Sequence, residues 1–462
     1  MKNRVIFYLI FAGFMFINNN IYAQEQDENN LLISGKLMTD QRFLLKNNND
    51  WAWNENRLTL NLDKKVSNKS KFRSEIWLRN IGLPSIADMS DIYNKGIIDP
   101  YNIEIREANL KINDFLLKNL DLCVGRQFIS WGTADKLNPT DNLNPLDMED
   151  IIDFGRKRGT DAFNFQYYIN NDFSLQGVYV PFFRPANLPV GIFANVLNSN
   201  AADNQTLQNT GYVVTMNMPQ YNLGESSIAG FKFKGFEKGV DFSLSYIWGY
   251  EGLPVNIKNT FVPVDTIYDK MAYSEMSYFR THIFGADLAT DVAGVGLWAE
   301  AALFMPENDV VMTNNLTALY PLSTQPVINK DTLLKKKEPY LKFIIGGDYF
   351  FRDGSYINLQ YMHGFFHEMG NENLNDYFFV QYEKKFFNEK LKIAPVGGGL
   401  VIEDWKDAKD NYALIYKPEI TYKASENTDI TLSTVIFNGK GDNLFSGLKD
   451  YSMFLFKLNY SF

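Results

Sequence analysis

The chain has 462 residues, with 45 Lys and Arg against 54 Asp and Glu, and a formal charge of −9. An acidic chain without clustered Lys and Arg excludes nucleic acid as a partner, because phosphate backbones are held by basic patches. A single cysteine, Cys123, excludes an intramolecular disulfide and reads as a small packing residue, while 37 Phe, 26 Tyr and 7 Trp are a heavy aromatic load.

At the N-terminus, Lys2 and Arg4 precede an apolar run from Val5 to Ile17, and Ile21-Tyr22-Ala23 stands before Gln24. This pattern predicts a cleaved secretory signal peptide over residues 1–23. The run is too short for a membrane helix, which needs about 20 apolar residues, and no later run approaches that length. Residues 24–462 are therefore expected to be exported, and any membrane crossing by them has to use strands.

Period-two alternation then recurs along the chain. Leu58, Leu60 and Leu62 oppose Arg57, Thr59, Asn61 and Asp63, and Phe72, Ile76 and Leu78 oppose Arg73, Glu75 and Arg79. Val240, Phe242, Leu244, Tyr246 and Trp248 oppose Asp241, Ser243 and Ser245, and Ile357, Leu359 and Tyr361 oppose Asn358 and Gln360. Apolar residues on one face and polar ones on the other suit a barrel wall between lipid and a wet lumen, with the aromatics as interfacial girdles.

Tight turns are read at residues 64–69, 113–119, 170–172, 237–239, 290–291, 352–354, 388–390 and 425–427. Longer polar connections are centred near residues 48, 90, 145, 200, 260, 320, 369, 407 and 444. Alternating short and long connections predict an all-β fold: a transmembrane antiparallel up-and-down β-barrel of about 18 strands, with 16 as the fallback, short periplasmic turns and long extracellular loops. The stretch from Pro181 to Gly224 has room for an extra hairpin or a lid. Pro395 and Pro418 fall inside predicted strands, where each removes a ladder donor, so bulges or displaced boundaries are expected there.

The most unusual segment begins Gly125-Arg126-Gln127 and continues through Trp131-Gly132 and Asp135. Two LNPxD units come next, Leu137 to Asp141 and Leu143 to Asp147, and then Glu149, Asp150 and Asp153 lead to Arg156, Lys157 and Arg158. Asn before Pro favours a turn, and the Asp of each unit can cap the segment after it. The loop over residues 131–160 is expected to fold inward as a pore constriction, with Arg126, Trp131, Asp135, Asp141, Asp147, Arg156 and Arg158 as its candidate residues. Opposite charges across a lumen filter solutes by charge and dipole. The alternative is that these charges satisfy one another and stiffen an external loop. A calcium site from Asp141, Asn142, Asn144 and Asp147 is considered, but the spacing fits no EF-hand and a solvated turn is preferred.

The elements Gly125 to Gln127, Trp131-Gly132 and Asn144 to Asp147 resemble the G-R-Q, W-G and N-P-x-D signature of outer-membrane barrels of unassigned function, related to the alginate-export and phosphate-selective porin families. The shared motif covers about 25 residues. Thr133 stands where many relatives carry an acidic residue, and the N-P-x-D unit is doubled here. The resemblance implies passage of small molecules, hydrophobic ones among them.

Enzymatic barrels require a base, and only His282, His363 and His367 are available. His363 and His367 have the spacing of a zinc helix, but the glycines and phenylalanines around them indicate a loop. No nucleophile, base and orienter can be named together, so no enzymatic activity, no metal and no cofactor are expected.

The chain closes on Ser452 to Phe462, with Phe454, Phe456, Leu458, Tyr460 and Phe462 on one face and Lys457 and Asn459 on the other. This resembles the terminal recognition strand of bacterial outer-membrane barrels and implies the barrel assembly machinery as a partner of residues 452–462. Expected lumen-lining residues are Arg57, Arg73, Glu75, Arg79, Asp241, Glu300, Lys342, Lys417 and Glu419. The reading is a Gram-negative outer-membrane channel, in contact with membrane lipid and lipopolysaccharide, for a small-molecule solute. A barrel scaffold or accessory subunit of a surface or secretion assembly is the alternative, and an outer-membrane hydrolase the second.

Overall fold

The computed structural model describes residues 30–46, 50–194, 210–264, 270–316, 329–441, 443 and 445–462. The expected signal peptide lies outside these residues, as do the centres of the connections near 48, 200, 320 and 444.

One sheet closes on itself. Its first strand, Leu32–Leu44, pairs with Trp51–Ser67 on one side and with the last strand, Met453–Ser461, on the other, running from Lys36 opposite Ser461 to Leu44 opposite Met453. Every neighbouring pair in this sheet is antiparallel, and the wall is an 18-strand barrel with no free edge. Closure matters because an unpaired edge in hydrocarbon leaves amide groups without partners. The outward rows are apolar, as in Leu244, Ile345, Leu359 and Leu432, each at least two-fifths exposed.

All eight short turns are present. Two are displaced: Trp51–Ser67 pairs with Ser70–Ile81 out to Ser67, so the turn between them is Asn68-Lys69, and the turn read at 290–291 sits at Ala293-Gly294. Ala293 and Gly294 both have positive φ, and a hairpin turns where its chain can adopt that conformation.

The two prolines coincide in a defect. Pro418 splits one stave into Tyr412–Tyr416 and Glu419–Ser425, while Pro395 stands opposite in Leu391–Ile402, whose register with Asp376–Phe386 shifts between Tyr382 and Lys384. The missing proline donors are bypassed rather than replaced. Lys417 N donates to Gly397 O at 2.7 Å, the Tyr416 hydroxyl to Pro395 O at 2.8 Å, and the Ser433 hydroxyl to Pro418 O at 2.8 Å. Bulges therefore accommodate both residues, as expected.

Long connections add a second, five-stranded sheet from Thr210–Asn217, Val255–Pro263, Lys270–Ser277, Val310–Asn315 and Asn329–Lys335. Of the stretch from Pro181 to Gly224, which has room for a hairpin or a lid, Thr210–Asn217 forms an edge strand parallel to Lys270–Ser277, and residues 195–209 lie outside the described residues. The apolar core lies inside the barrel. One cluster joins loop residues Leu137, Ile151, Ile152, Phe365 and Phe445 to wall residues such as Trp53, Ile344 and Met453. Another packs Ile129, Trp131 and Leu143 against Val178, Ile247, Ile283 and Phe304.

Candidate functional site

The connection between Leu120–Gln127 and Thr160–Tyr168 crosses the barrel interior. Its conformation starts from local chemistry. Gly132 has φ +93, and a Cβ there would meet the Glu300 carboxylate at 2.4 Å, so the chain passes against the wall only with glycine at that position. In the first LNPxD unit, Asp141 N donates to Asn138 O at 3.1 Å and Asn142 Nδ2 to Pro139 O at 2.7 Å, which closes the turn. In the second, Asn144 accepts from Ile129 N at 3.1 Å and donates to Ile129 O at 2.8 Å, which fastens the two limbs of the loop together. Leu137 and Leu143, the leading residues of the two units, are both buried.

One side of the loop is tied to a single wall carboxylate. Glu300, on Val295–Pro306, is 2% exposed. It accepts from Thr140 N at 2.8 Å, Thr140 Oγ1 at 2.7 Å, Thr133 N at 3.0 Å and Asn138 Nδ2 at 3.1 Å. A buried carboxylate persists when its lone pairs are filled this way. Nearby, Asn358 Nδ2 donates to Asp135 at 2.8 Å.

The opposite side is tied by arginines on the first, third and fourth wall strands. Arg42 grips Asp150 through two bonds, at 2.8 and 2.5 Å, while also holding Asp40. Arg79 grips Glu149 at 2.6 and 3.1 Å, and Arg106 reaches Asp147 at 2.8 Å. Arg156, from the loop itself, pairs with Asp147 at 3.0 Å and Glu149 at 3.1 Å. Trp77 supplies a face for these cations, with Arg57 at 3.9 Å and Arg106 at 4.1 Å from its ring centre.

Burial alone would raise the carboxyl pKa values of Asp147 and Asp150. The guanidiniums of Arg156 and Arg106 outweigh it at Asp147, and that of Arg42 at Asp150, so both sit below the usual carboxylate range. Arg156 is held above its usual value, since Asp147 and Asp150 outweigh its burial. Asp141 differs: burial pushes its carboxyl up, and Lys157 at 2.9 Å offsets only part of that. At Arg158 burial outweighs the neighbouring acids and lowers the value, and its guanidinium donates to Pro185 O at 2.7 Å.

The candidate constriction residues are thus not one cluster. Asp147 and Arg156 share the arginine network, Asp141 pairs with Lys157, and Asp135 stands apart. Trp131, at the start of the loop, is buried with its indole N–H donating to Gln176 at 2.9 Å. Arg126 is a correction: it alternates with inward-facing Gln127 and pairs at 2.9 Å with Asp161 on the outer face, where Phe163 and Phe165 are exposed. A two-residue period leaves a strand end no choice of face, so adjacency in sequence to the loop misplaced it.

Among the lumen candidates, Arg57 lies on Trp77, Arg73 pairs with Glu107 at 3.0 Å, and Glu75 accepts the Trp77 indole N–H at 2.7 Å. Arg79 and Glu300 anchor the loop. Asp241 faces Lys234 at 3.5 Å, and Lys417 and Glu419 are 4.0 Å apart. Lys342 is buried and donates to Phe365 O at 2.7 Å, holding a second loop. Sequence reasoning misses Arg42, Arg106 and Glu104, although Asp40 with Arg42 and Glu104 with Arg106 are opposite charges two apart on one strand face.

Neither the calcium nor the zinc pattern assembles. Asp141 and Asp147 are taken by Lys157 and arginines, and His363 pairs with Asp376 at 2.8 Å, while His367 lies against the Phe365 and Phe366 rings. Among the described residues no three His, Cys, Asp or Glu converge as metal ligands.

Two cavities flank the loop. One, of about 80 Å³, is bounded by Leu143, Phe183, Tyr250, Phe304, Lys342 and Phe366. The other, of about 350 Å³, is bounded by Phe128, Ser130, Trp131 and Thr133.

No protein-family model and no curated protein matches the chain. Solved structures do. OccAB4 of Acinetobacter baumannii aligns over 95% of this chain and 99% of that one at 8% identity, with a TM-score of 0.50. OccK11 (OpdR) of Pseudomonas aeruginosa aligns over 93% and 95% at 10% identity, with a TM-score of 0.48. OmpF of Salmonella typhi, in complex with daunomycin, aligns over 96% and 99% at 11% identity, with a TM-score of 0.40. At such identities the likeness is one of fold alone: a closed, antiparallel up-and-down β-barrel.

Proposed function

We propose that the protein is an outer-membrane channel for small solutes, with the loop over residues 131–160 as its constriction. The observation that carries this reading is the anchoring of one loop to two sides of the wall, by Glu300 on one side and by Arg42, Arg79 and Arg106 on the other, with two cavities bordering it. A barrel of this strand number is wide enough for water unless it is filled, and here a single loop does much of the filling. The terminal strand that closes the wall is the segment the assembly machinery would engage, and the apolar outer rows are the surface for lipid and lipopolysaccharide.

Planar-bilayer recording tests the reading. Wild-type protein is expected to give small ohmic steps, and removal of residues 133–158 much larger ones; silence from both would overturn it. A scaffold role is the second reading, favoured by the five-stranded sheet, whose edge strand Thr210–Asn217 is uncharged and exposes Tyr212, Val213, Val214 and Met216. Such an edge is a template for another chain. A Val214→Lys change that leaves conductance intact but releases a co-purified partner would support that role.

A further inference from the structure

The two cavities along the loop share a wall. Lys136, Asn138, Asp141, Asn144, Gly155 and Lys157 bound both of them, so these residues stand between one cavity and the other. Most of this wall is rigid. Gly155 has φ +77 and a Cβ there would meet Lys136 O at 2.2 Å, so these two backbones are packed back to back. Asn138 is bonded to Ala134 O at 2.8 Å and to Glu300, and Asn144 is locked to Ile129 on both sides of the peptide.

The Asp141–Lys157 contact is built differently. The backbone of Lys157 is pinned without help from its side chain: Arg106 donates to its carbonyl, it bridges to Leu146, and the next residue's N–H bonds to Pro145 O at 2.9 Å. Asp141 N is likewise held by Asn138 O. Only the Lys157 side chain crosses the gap, and its ammonium meets Asp141 Oδ2 at 2.9 Å and also contacts the Asp141 carbonyl. A lysine side chain has rotatable bonds throughout and a strongly hydrated head, so it can leave this position while both backbones stay. Burial outweighs Lys157 at the Asp141 carboxyl, whereas the arginines outweigh burial at Asp147 and Asp150.

We infer that the Asp141–Lys157 pair is the movable septum of the channel, and that solute crosses the loop where the Lys157 side chain swings away while the Glu300 and arginine anchors stay closed. This rests on the channel reading and names the two residues that set its aperture. Such an opening needs one side chain to move and no loop or domain displacement, so the wild-type channel would flicker rather than show long closed states.

The test compares wild type, Lys157→Met, Asp141→Asn and the chain lacking residues 133–158 in planar bilayers, with folding of each checked by heat-modifiable gel mobility. Lys157→Met keeps the length and apolar stem but removes the ionic tie. Both point variants are expected to raise the open-level conductance or its occupancy several-fold, short of the deletion. Point variants that match wild type beside a conducting deletion would overturn the septum and leave the channel reading standing. Silence from all four, with folded barrels, would overturn both.

Discussion

The Thr140 amide and hydroxyl both donate to one oxygen of Glu300, at 2.8 and 2.7 Å, across 160 residues of chain. A wall carboxylate thus does for the loop what a cap does for a helix, collecting N–H groups that have no other partner in the barrel interior.

Replacing that carboxylate should loosen one side of the loop without opening the barrel. In Glu300→Gln, donors at Thr133, Asn138 and Thr140 face an amide that cannot accept from all of them, a loss of about 2 kcal/mol, or roughly thirtyfold faster exchange at the Thr133 and Thr140 amides. Gly132→Ala should produce the same pattern, because its Cβ would displace the carboxylate. Hydrogen exchange with unchanged protection at these amides would refute the anchoring role.

The opposite anchor should be more costly to break than to delete. Arg42→Ala leaves Asp150 buried without its main cation, at about 3–5 kcal/mol. Asp40 would keep Lys457 at 3.0 Å, so removing Arg42 and Asp150 together should cost less than the two single changes added. Denaturant unfolding in detergent, run as a double-mutant cycle, checks this, and simple additivity would contradict the pairing.

Acid should act in two stages. Burial pushes the His367 imidazole down to about 4. An unfolded histidine near 6.5 binds its proton first, so stability falls as pH drops from about 6.5 toward 4 and then levels for this group. The side chain is partly exposed, so the loss is about 1–2 kcal/mol after discounting for solvent. Asp147 and Asp150 act in the same sense at lower pH: their depressed values add stability above the ordinary carboxylate range, and that stability is lost below pH 4. Comparing unfolding midpoints of wild type and His367→Gln at pH 7 and 4.5 separates the stages; parallel curves would rule out the histidine contribution.

The proline defect should tolerate little change at its glycine. Gly398 has φ +137, and a Cβ there would stand 1.9 Å from Ile415 O. Gly398→Ala is therefore expected to reduce the heat-modifiable folded fraction sharply. Gly239→Ala, in a hairpin with φ +83 and open space around it, should cost only about 1 kcal/mol. Equal yields from the two variants would show that the defect is not a tight constraint.

Much of this molecule is legible one residue at a time. A strand has period two whatever surrounds it, so Leu58 to Asp63 or Val240 to Trp248 assign their own faces, and turn residues such as Lys238-Gly239 mark each reversal. Arg126 is misplaced when its neighbours in the motif are weighed above its place in that period. Pro395 and Pro418 are recognisable as disruptive, but only the barrel shows that they lie opposite each other and share one bulge.

The sequence by itself determined the wall: eighteen staves, their inward and outward rows, and the unusual composition of the loop after Trp131. Only the tertiary structure decided where that loop is fastened. Glu300 is 160 residues from Thr140 and Arg42 is 108 from Asp150. Local preference carries no information on pairs so far apart; they meet because closure of the barrel brings distant strands around one interior, where each buried charge is stable only beside its complement.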